Sequence, residues 1–187
     1  MKIVLFGDSI FAGYHQGLTS SIFKDRIQEQ FPNDTIVNAA IPGATTLIAL
    51  AWLQSLVLDE KPDLVVIHFG ANDIPKDTAI TTADYVHNID TLCQKIGLDK
   101  VSLISPPYSD DKRLGDRTQA EIQAYVNALL TYGAKHKLPT GDLYTPMHTK
   151  KDPNELLQSD GIHFTNRGYD ILTQVVSRQI NHWLQRT

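Results

Sequence analysis

Two short apolar runs that each stop at a glycine constrain the fold of this chain more than any other feature of its sequence. The first run, residues 2–6, reads KIVLF and ends at Gly7, and the second, residues 63–69, reads DLVVIHF and ends at Gly70. Such runs, rich in β-branched residues and without polar alternation, are typical of strands buried on both faces of a parallel sheet. A glycine at the end of the strand allows a sharp turn there.

Helical patterns separate the predicted strands. Apolar residues recur at helical spacing in residues 22–31, 45–58, 82–96, 122–132 and 166–183, and a single helical turn is predicted at 154–158. Further strands are predicted at residues 35–39, 101–104 and 138–143, the last at a sheet edge because Pro139 lacks a backbone N–H. Strands that alternate with helices are typical of βαβ units, so we expect a mostly parallel α/β sheet within one domain spanning residues 1–187.

Composition and charge exclude several classes of function. The 187 residues are 42% hydrophobic and 20% charged, and the formal net charge of −4 argues against non-specific nucleic-acid binding. The single cysteine, Cys93, excludes an internal disulfide and fits a reducing compartment. No run approaches the ~20 apolar residues that cross a bilayer, and no signal peptide is recognisable, so we expect a cytoplasmic protein without membrane insertion. No metal-ligand spacing is present, so no metal or cofactor is expected, and the sequence pattern defines no oligomeric state.

Polar or small residues follow the first three predicted strands. Ser9 comes after the first strand, Gly43 after the second and Asn72 after the third. The carboxyl ends of parallel strands meet at one edge of a sheet, and the helices that follow point their amino termini at that edge, which favours negative charge there. These three residues are therefore expected to converge although they are far apart in the chain.

Acyl transfer uses this combination of residues together with a late pair on one loop. Serine becomes an effective nucleophile when a histidine takes its proton, and His163 lies three residues after Asp160, whose carboxylate can fix the imidazole tautomer. The tetrahedral intermediate carries an anionic oxygen, for which the backbone N–H groups of Ser9 and Gly43 and the side-chain amide of Asn72 are candidate donors. One chemistry thus accounts for all five residues.

Each residue also has a structural interpretation when it is taken alone. Ser9 can cap a helix, Gly43 after a proline is an ordinary turn, and Asn72 with Asp73 can form a turn and a cap. His68, inside the third strand, is predicted to be a core histidine. Asp73 is expected to support the loop of Asn72 and not to act as a base.

Four motif blocks resemble those of the GDSL, or SGNH, hydrolases. In chain order they are Gly7-Asp8-Ser9-Ile10, Gly43, Gly70-Ala71-Asn72-Asp73 and Asp160-Gly161-Ile162-His163. The resemblance implies a flavodoxin-like three-layer α/β/α sandwich with a five-stranded parallel sheet in the order 2-1-3-4-5. Two positions depart from the family pattern. Ile10 stands where leucine is usual, a change of similar volume. Ala40 stands where many members have glycine, and this change affects only the local loop shape.

The resemblance also implies the role of each site residue. Ser9 would be the nucleophile, His163 and Asp160 its partners, and Ser9, Gly43 and Asn72 the oxyanion hole.

The expected function is a serine esterase acting on a small-molecule ester through an acyl-enzyme. Short acyl chains or acetylated sugars are the favoured substrates, because no lid domain is evident and the loops at this edge offer a small apolar lining. The candidate substrate contacts are Phe11, Ile41, Tyr108 and Phe164, with Tyr14 and Pro107 beside them. The alternatives are a lysophospholipase or thioesterase, a non-catalytic carbohydrate-binding module on the same scaffold, and a flavodoxin-like receiver or flavin binder.

Overall fold

The computed structural model describes residues 1–15 and 17–186, and a five-stranded parallel sheet lies at its centre. The strands are β1 (Lys2–Gly7), β2 (Thr35–Asn38), β3 (Leu64–His68), β4 (Val101–Ile104) and β5 (Thr140–Gly141). Their order is β2-β1-β3-β4-β5, and every neighbouring pair is parallel. Val4 of β1 pairs with Val37 on one side and with Val65 on the other. The predicted fold class and strand order are confirmed.

Seven α-helices flank the sheet in the part of the chain that the structure describes. They are α1 (Ile22–Gln30), α2 (Thr46–Leu53), α3 (Thr82–Ile96), α4 (Asp111–Leu114), α5 (Gln119–Lys135), α6 (Tyr144–His148) and α7 (Asn166–Leu184). Helix α1 packs against α7, and α3 packs against both α2 and α5. Two groups of helices therefore cover the sheet.

The central strands are buried along their whole apolar length. Ile3, Val4, Leu5 and Phe6 of β1 are 0% exposed, and the apolar residues of β3 are at most 1% exposed. Each such side chain contributes roughly 1.5–3 kcal/mol through the apolar surface it removes from water. The carboxyl ends of β1 and β3 are thus anchored in the most densely buried part of the protein, and the loops that follow them start from fixed positions.

Some elements differ from the sequence predictions. The helix predicted over 45–58 is α2 followed by a π-helical turn, Gln54–Leu58. The predicted fifth strand is reduced to Thr140–Gly141, where the missing side chain of Gly141 leaves room for Val175 of α7. Helix α4 forms in a segment that has no helical apolar pattern, because the Asp110 side chain caps its first turn and Gly115, at φ 71°, ends it. The ends of such short helices are determined by local caps, and the helices have no long apolar pattern from which they could be predicted.

Helix α2 exposes apolar side chains directly after the second strand tip. Residues 39–58 contain no charged side chain. Leu47 and Trp52 are each more than half exposed, and Ile48 is partly exposed. Across residues 1–15 and 17–186, no helix combines the length and apolarity needed to cross a bilayer. The exposed side chains of α2 therefore form an apolar patch on the surface, beside the carboxyl edge of the sheet.

Candidate active site

The turn after β1 places Ser9 at the carboxyl edge of the sheet. The N–H groups of Ala12 and Tyr14 donate to the carbonyls of Asp8 and Ser9, each at 3.0 Å, so the chain forms a helical turn as soon as the strand ends. This turn needs glycine at position 7, since an added Cβ would lie 2.8 Å from the Phe11 ring and 2.9 Å from a backbone oxygen of β3. The close approach of the turn to β3 explains why the strand must stop at Gly7.

Ser9, His163 and Asp160 form a continuous hydrogen-bonded chain. The Ser9 Oγ lies 2.9 Å from His163 Nε2, and His163 Nδ1 lies 2.7 Å from Asp160 Oδ2. An ionised carboxylate only accepts hydrogen bonds, so in the neutral imidazole Nδ1 carries the proton and Nε2 is free to accept the proton of the Ser9 hydroxyl. Residues separated by 154 positions in the sequence thus meet in the geometry that a base and a nucleophile require.

The turn that contains Asp160 fixes its carboxylate. Asp160 Oδ1 accepts from the backbone N–H groups of Ile162 and His163, each at 3.0 Å, while Oδ2 faces the imidazole. Partial burial by itself raises the pKa of Asp160, but the hydrogen bonds from Ile162 and His163 outweigh it and hold the pKa below its ordinary value. The carboxylate therefore stays ionised at neutral pH and orients the imidazole.

The second and third strand tips lie side by side next to β1. The N–H of Ile41 donates to the carbonyl of Gly7 at 2.8 Å, and the side-chain amide of Asn72 donates to the carbonyl of Ala44 at 3.1 Å. Gly43, between them in the loop, has φ 76°, and apart from its two chain neighbours no described residue has an atom within 4 Å of the position that a Cβ would take. The loop of Gly43 therefore contacts both the β1 tip and Asn72, and one side of it faces open space.

Asp73 fastens the Asn72 loop to the start of α2. Its Oδ1 accepts from the backbone N–H of Thr46 at 3.0 Å and also from the Thr46 hydroxyl, which in turn accepts from Asn88 Nδ2 at 2.9 Å. Burial raises the pKa of Asp73, and its hydrogen bonds to Thr46 partly oppose that shift. Its carboxylate oxygens are occupied by this support, which agrees with the expectation that Asp73 is not a base.

The predicted substrate contacts differ in whether the structure exposes or buries them. Phe11 is 0% exposed, and its ring packs between those of Phe23, at 4.6 Å, and His68, at 4.8 Å. Phe11 is therefore a core residue and does not line the site. Its apolar ring is removed from water under the β1 turn, which is more favourable than an exposed position at the edge of the site. Tyr108 is also buried and donates its hydroxyl to Asn154, whereas Ile41 remains partly exposed.

Phe164 and the loop after Ser9 border an apolar pocket of about 600 Å³. Its lining residues come from two segments and are Gly13, His15, Leu18, Thr19, Ser20 and Ile22 from the first and Phe164, Thr165, Asn166 and Tyr169 from the second. Phe164 itself is 1% exposed. Volumes of roughly 300–1,000 Å³ with mostly apolar walls are usual for small-molecule sites.

Two further residues contact the loop of the histidine; Tyr14 is named from the sequence only as a neighbour of the candidate substrate contacts, and Gln158 is not named. The Tyr14 ring packs against His163, with the ring centroids 4.3 Å apart. Gln158 donates from its side-chain amide to the carbonyls of Tyr14 and Phe164. Glutamine in an ordinary loop carries no spacing signal, so only the structure reveals this contact.

Two buried titratable residues lie under the site. His68 is fully buried in β3, and burial lowers its pKa to about 4, so it is neutral. Asp8 is equally buried, and burial raises its pKa to about 7. Among the described residues, no group of three or more His, Cys, Asp or Glu side chains is placed to hold a metal ion.

Known proteins share both the sequence pattern and the fold. The pattern of the GDSL-like lipase/acylhydrolase family matches residues 5–171. The crystal structure of a lipase/acylhydrolase from Enterococcus faecalis is 42% identical, with a TM-score of 0.92, covering 96% of this chain and 94% of that one. Esterase TesA from Pseudomonas aeruginosa is 27% identical over 166 residues, which are 86% of this chain and 78% of TesA. An arylesterase from Vibrio mimicus is 39% identical over 75 residues, and that match spans 38% of each protein.

The family match extends from β1 into the last helix, so it covers most of the chain. It includes the strand tips with Ser9, Gly43 and Asn72 as well as the late loop with Asp160 and His163. The chain belongs to the GDSL-like lipase/acylhydrolase family, and it is an ester-hydrolysing enzyme on that ground.

Proposed function

We propose that the protein is a serine ester hydrolase in which Ser9 is the nucleophile, His163 the general base and Asp160 the residue that orients the histidine. One observation carries this proposal: the hydrogen-bonded chain from Ser9 Oγ through both nitrogens of His163 to Asp160, at 2.9 and 2.7 Å. The lowered pKa of Asp160 supports it, because an ionised carboxylate stabilises the imidazolium that forms when His163 takes a proton.

The reaction proceeds in two steps. His163 Nε2 takes the proton of Ser9 as its Oγ attacks the ester carbonyl carbon, and a tetrahedral intermediate forms. The C–O bond to the alcohol then breaks, His163 returns its proton to the leaving oxygen, and an acyl-enzyme remains. A water molecule, deprotonated by His163, attacks this acyl group, and the collapse of the second intermediate releases the acid and restores Ser9.

The oxyanion of each intermediate would be bound by the N–H groups of Ser9 and Gly43 and by the amide of Asn72. A primary amide has two N–H donors. One of those of Asn72 is used on the carbonyl of Ala44, which orients the side chain and leaves the second for the substrate oxygen. The open space beside Gly43 gives that oxygen access to the backbone.

Short acyl esters, including acetylated sugars, remain the favoured substrates, since Pro42 and Gly43 are exposed at the surface. A lysophospholipid or an acyl thioester is the second candidate. The exposed apolar side chains Leu47 and Trp52 of α2 favour it, because they offer apolar surface to a longer chain. A non-catalytic carbohydrate-binding role has no such support, since all residues of the proposed chemistry are present.

Labelling with a fluorophosphonate, followed by location of the modified residue, tests the nucleophile. We expect one label at Ser9 in the wild-type protein, none in Ser9→Ala, and loss of p-nitrophenyl acetate hydrolysis in that variant. Ser55→Ala, which changes an exposed serine on the π-helical turn after α2, is the control and should retain both. Modification of another residue, or full activity of folded Ser9→Ala, would contradict the proposal.

A further inference from the structure

Gln158 joins two segments that lie far apart in the sequence. Its side-chain Nε2 donates to the carbonyl oxygens of Tyr14 and Phe164, each at 3.0 Å. Its backbone N–H donates to the carbonyl of His163 at 2.7 Å. The two hydrogen bonds from Nε2 thus use both N–H donors of the side-chain amide. One residue thus binds the segment that follows the proposed nucleophile and the segment that carries the proposed base.

Tyr14 connects this link to the reacting atoms. Its backbone N–H donates to the carbonyl of Ser9 at 3.0 Å, so Tyr14 is held by Ser9 at one end of its backbone and by Gln158 at the other. Its ring lies against the imidazole of His163, with planes tilted by 35°. A displacement of Tyr14 relative to the late loop would therefore alter the space available to the imidazole.

We propose that Gln158 is a positioning residue that sets the separation of Ser9 Oγ and His163 Nε2 by hydrogen bonding to the carbonyls of Tyr14 and Phe164. This inference rests on the proposed serine-hydrolase function. The hydrogen bond that it would maintain is 2.9 Å long. Proton transfer depends steeply on such a distance, and a misplacement of about 1 Å can lower a rate by about 10²-fold.

The fold of the late loop has other supports, so the two amide hydrogen bonds are not needed to form it. Leu157 and Phe164 form an isolated β-bridge, and the N–H of Thr165 donates to the carbonyl of Leu156 at 2.9 Å. Asp160 accepts two backbone hydrogen bonds within its own turn. Removing the amide donors of Gln158 should leave the late loop folded and its histidine oriented. The loop as a whole would then be free to shift relative to the segment of Tyr14.

Gln28 offers a matched control at the opposite edge of the sheet. Its Nε2 donates to the carbonyls of Phe31, at 3.1 Å, and Asp34, at 2.9 Å. That loop precedes β2, whereas the candidate site follows the strands. Both glutamines are partly buried. The two side chains therefore make the same kind of double hydrogen bond, one at the site and one remote from it.

The test compares Gln158→Met with Gln28→Met, since methionine keeps the length of the side chain and removes both donors. Three quantities are measured for each: kcat and KM with p-nitrophenyl acetate, the rate of inactivation by a fluorophosphonate, and Tm. In Gln158→Met we expect kcat to fall by about 10- to 100-fold with KM little changed. The inactivation rate should fall in parallel, because it reports activation of Ser9 without an ester. The Tm of Gln28→Met should fall by a similar amount, while its kcat and its inactivation rate should stay unchanged.

Three results would overturn the inference. These are an unchanged kcat in Gln158→Met, a lowered kcat with an unchanged inactivation rate, and equal losses in the Gln28 variant, which would indicate a general effect of stability. If Gln158→Met does not fold, Gln158→Asn, whose amide is one methylene too short to reach both carbonyls, replaces it with the same expectations and the same overturning results. Failure of the proposed function has a different signature, since the wild-type protein would then carry no label at Ser9.

Discussion

The carboxyl group of Asp8, directly before the proposed nucleophile, is enclosed by the protein. Its side chain is 0% exposed, its Oδ1 accepts from the N–H of Ile10 at 3.0 Å, and its Oδ2 has no hydrogen-bond partner among the described residues. Burial raises the pKa of Asp8 from 3.8 to about 7; the hydrogen bond from Ile10 opposes this rise, and the nearby Asp73 adds to it. The folded protein therefore holds this proton more tightly than the unfolded chain does.

A raised pKa of this size makes the wild-type protein less stable as the pH rises. Below pH 3.8 Asp8 is protonated in both states, and between 3.8 and about 7 the unfolded chain loses the proton first, so the free energy of unfolding decreases. The full effect is about 4 kcal/mol, because one pKa unit corresponds to about 1.4 kcal/mol. Asp8→Asn keeps an oxygen that can accept from Ile10 and does not ionise, so it removes this dependence.

Urea unfolding of the wild type and of Asp8→Asn at three pH values, about 4, 6 and 8, measures the effect. The free energy of unfolding of the variant minus that of the wild type should increase by roughly 4 kcal/mol from the lowest to the highest pH. The amide in place of the carboxyl changes this difference by a constant amount, and the other titrating groups are common to both proteins. A difference that stays constant or decreases with pH would refute the reasoning.

Two further predictions concern the site. Asn72→Ala should lower kcat for p-nitrophenyl acetate by about 10²–10³-fold, the usual loss for one oxyanion donor, whereas a loss of less than about tenfold would show that the amide does not bind the oxyanion. Asp160→Asn should lower kcat by about 10⁴-fold, because an amide facing Nδ1 favours the tautomer in which Nε2 carries the proton; activity near the wild-type level would show that Asp160 does not fix the tautomer.

The sequence was sufficient to predict the sheet and the meeting of its strand tips. Buried parallel strands have a distinctive apolar pattern, as in residues 63–69, and parallel topology alone brings the ends of β1 and β3 to one edge. The fifth strand is shorter than predicted, because Gly141 packs against Val175, a residue more than thirty positions later in the chain. Local patterns do not contain that kind of information.

Contacts around the site were harder to predict than the residues proposed to react. Ser9 and His163 fit a chemistry that restricts the residue types, whereas any exposed apolar side chain near the site can line a substrate. Phe11 is apolar, as a lining residue would be, but in the structure its ring is buried against Phe23. Gln158 shows the converse case, since its importance comes from two backbone carbonyls that no sequence pattern marks.

The 154-residue separation between the two hydrogen-bonded side chains has a consequence for the protein during synthesis. Because synthesis runs from the amino to the carboxyl terminus, Ser9 emerges from the ribosome well before the loop that carries His163, which directly precedes α7. The turn after the first strand then has to meet a segment made much later, and contacts between residues so distant in sequence form slowly. Under the proposed mechanism esterase activity should therefore appear during cell-free translation only after the segment with His163 has been made and has folded against the turn of Ser9.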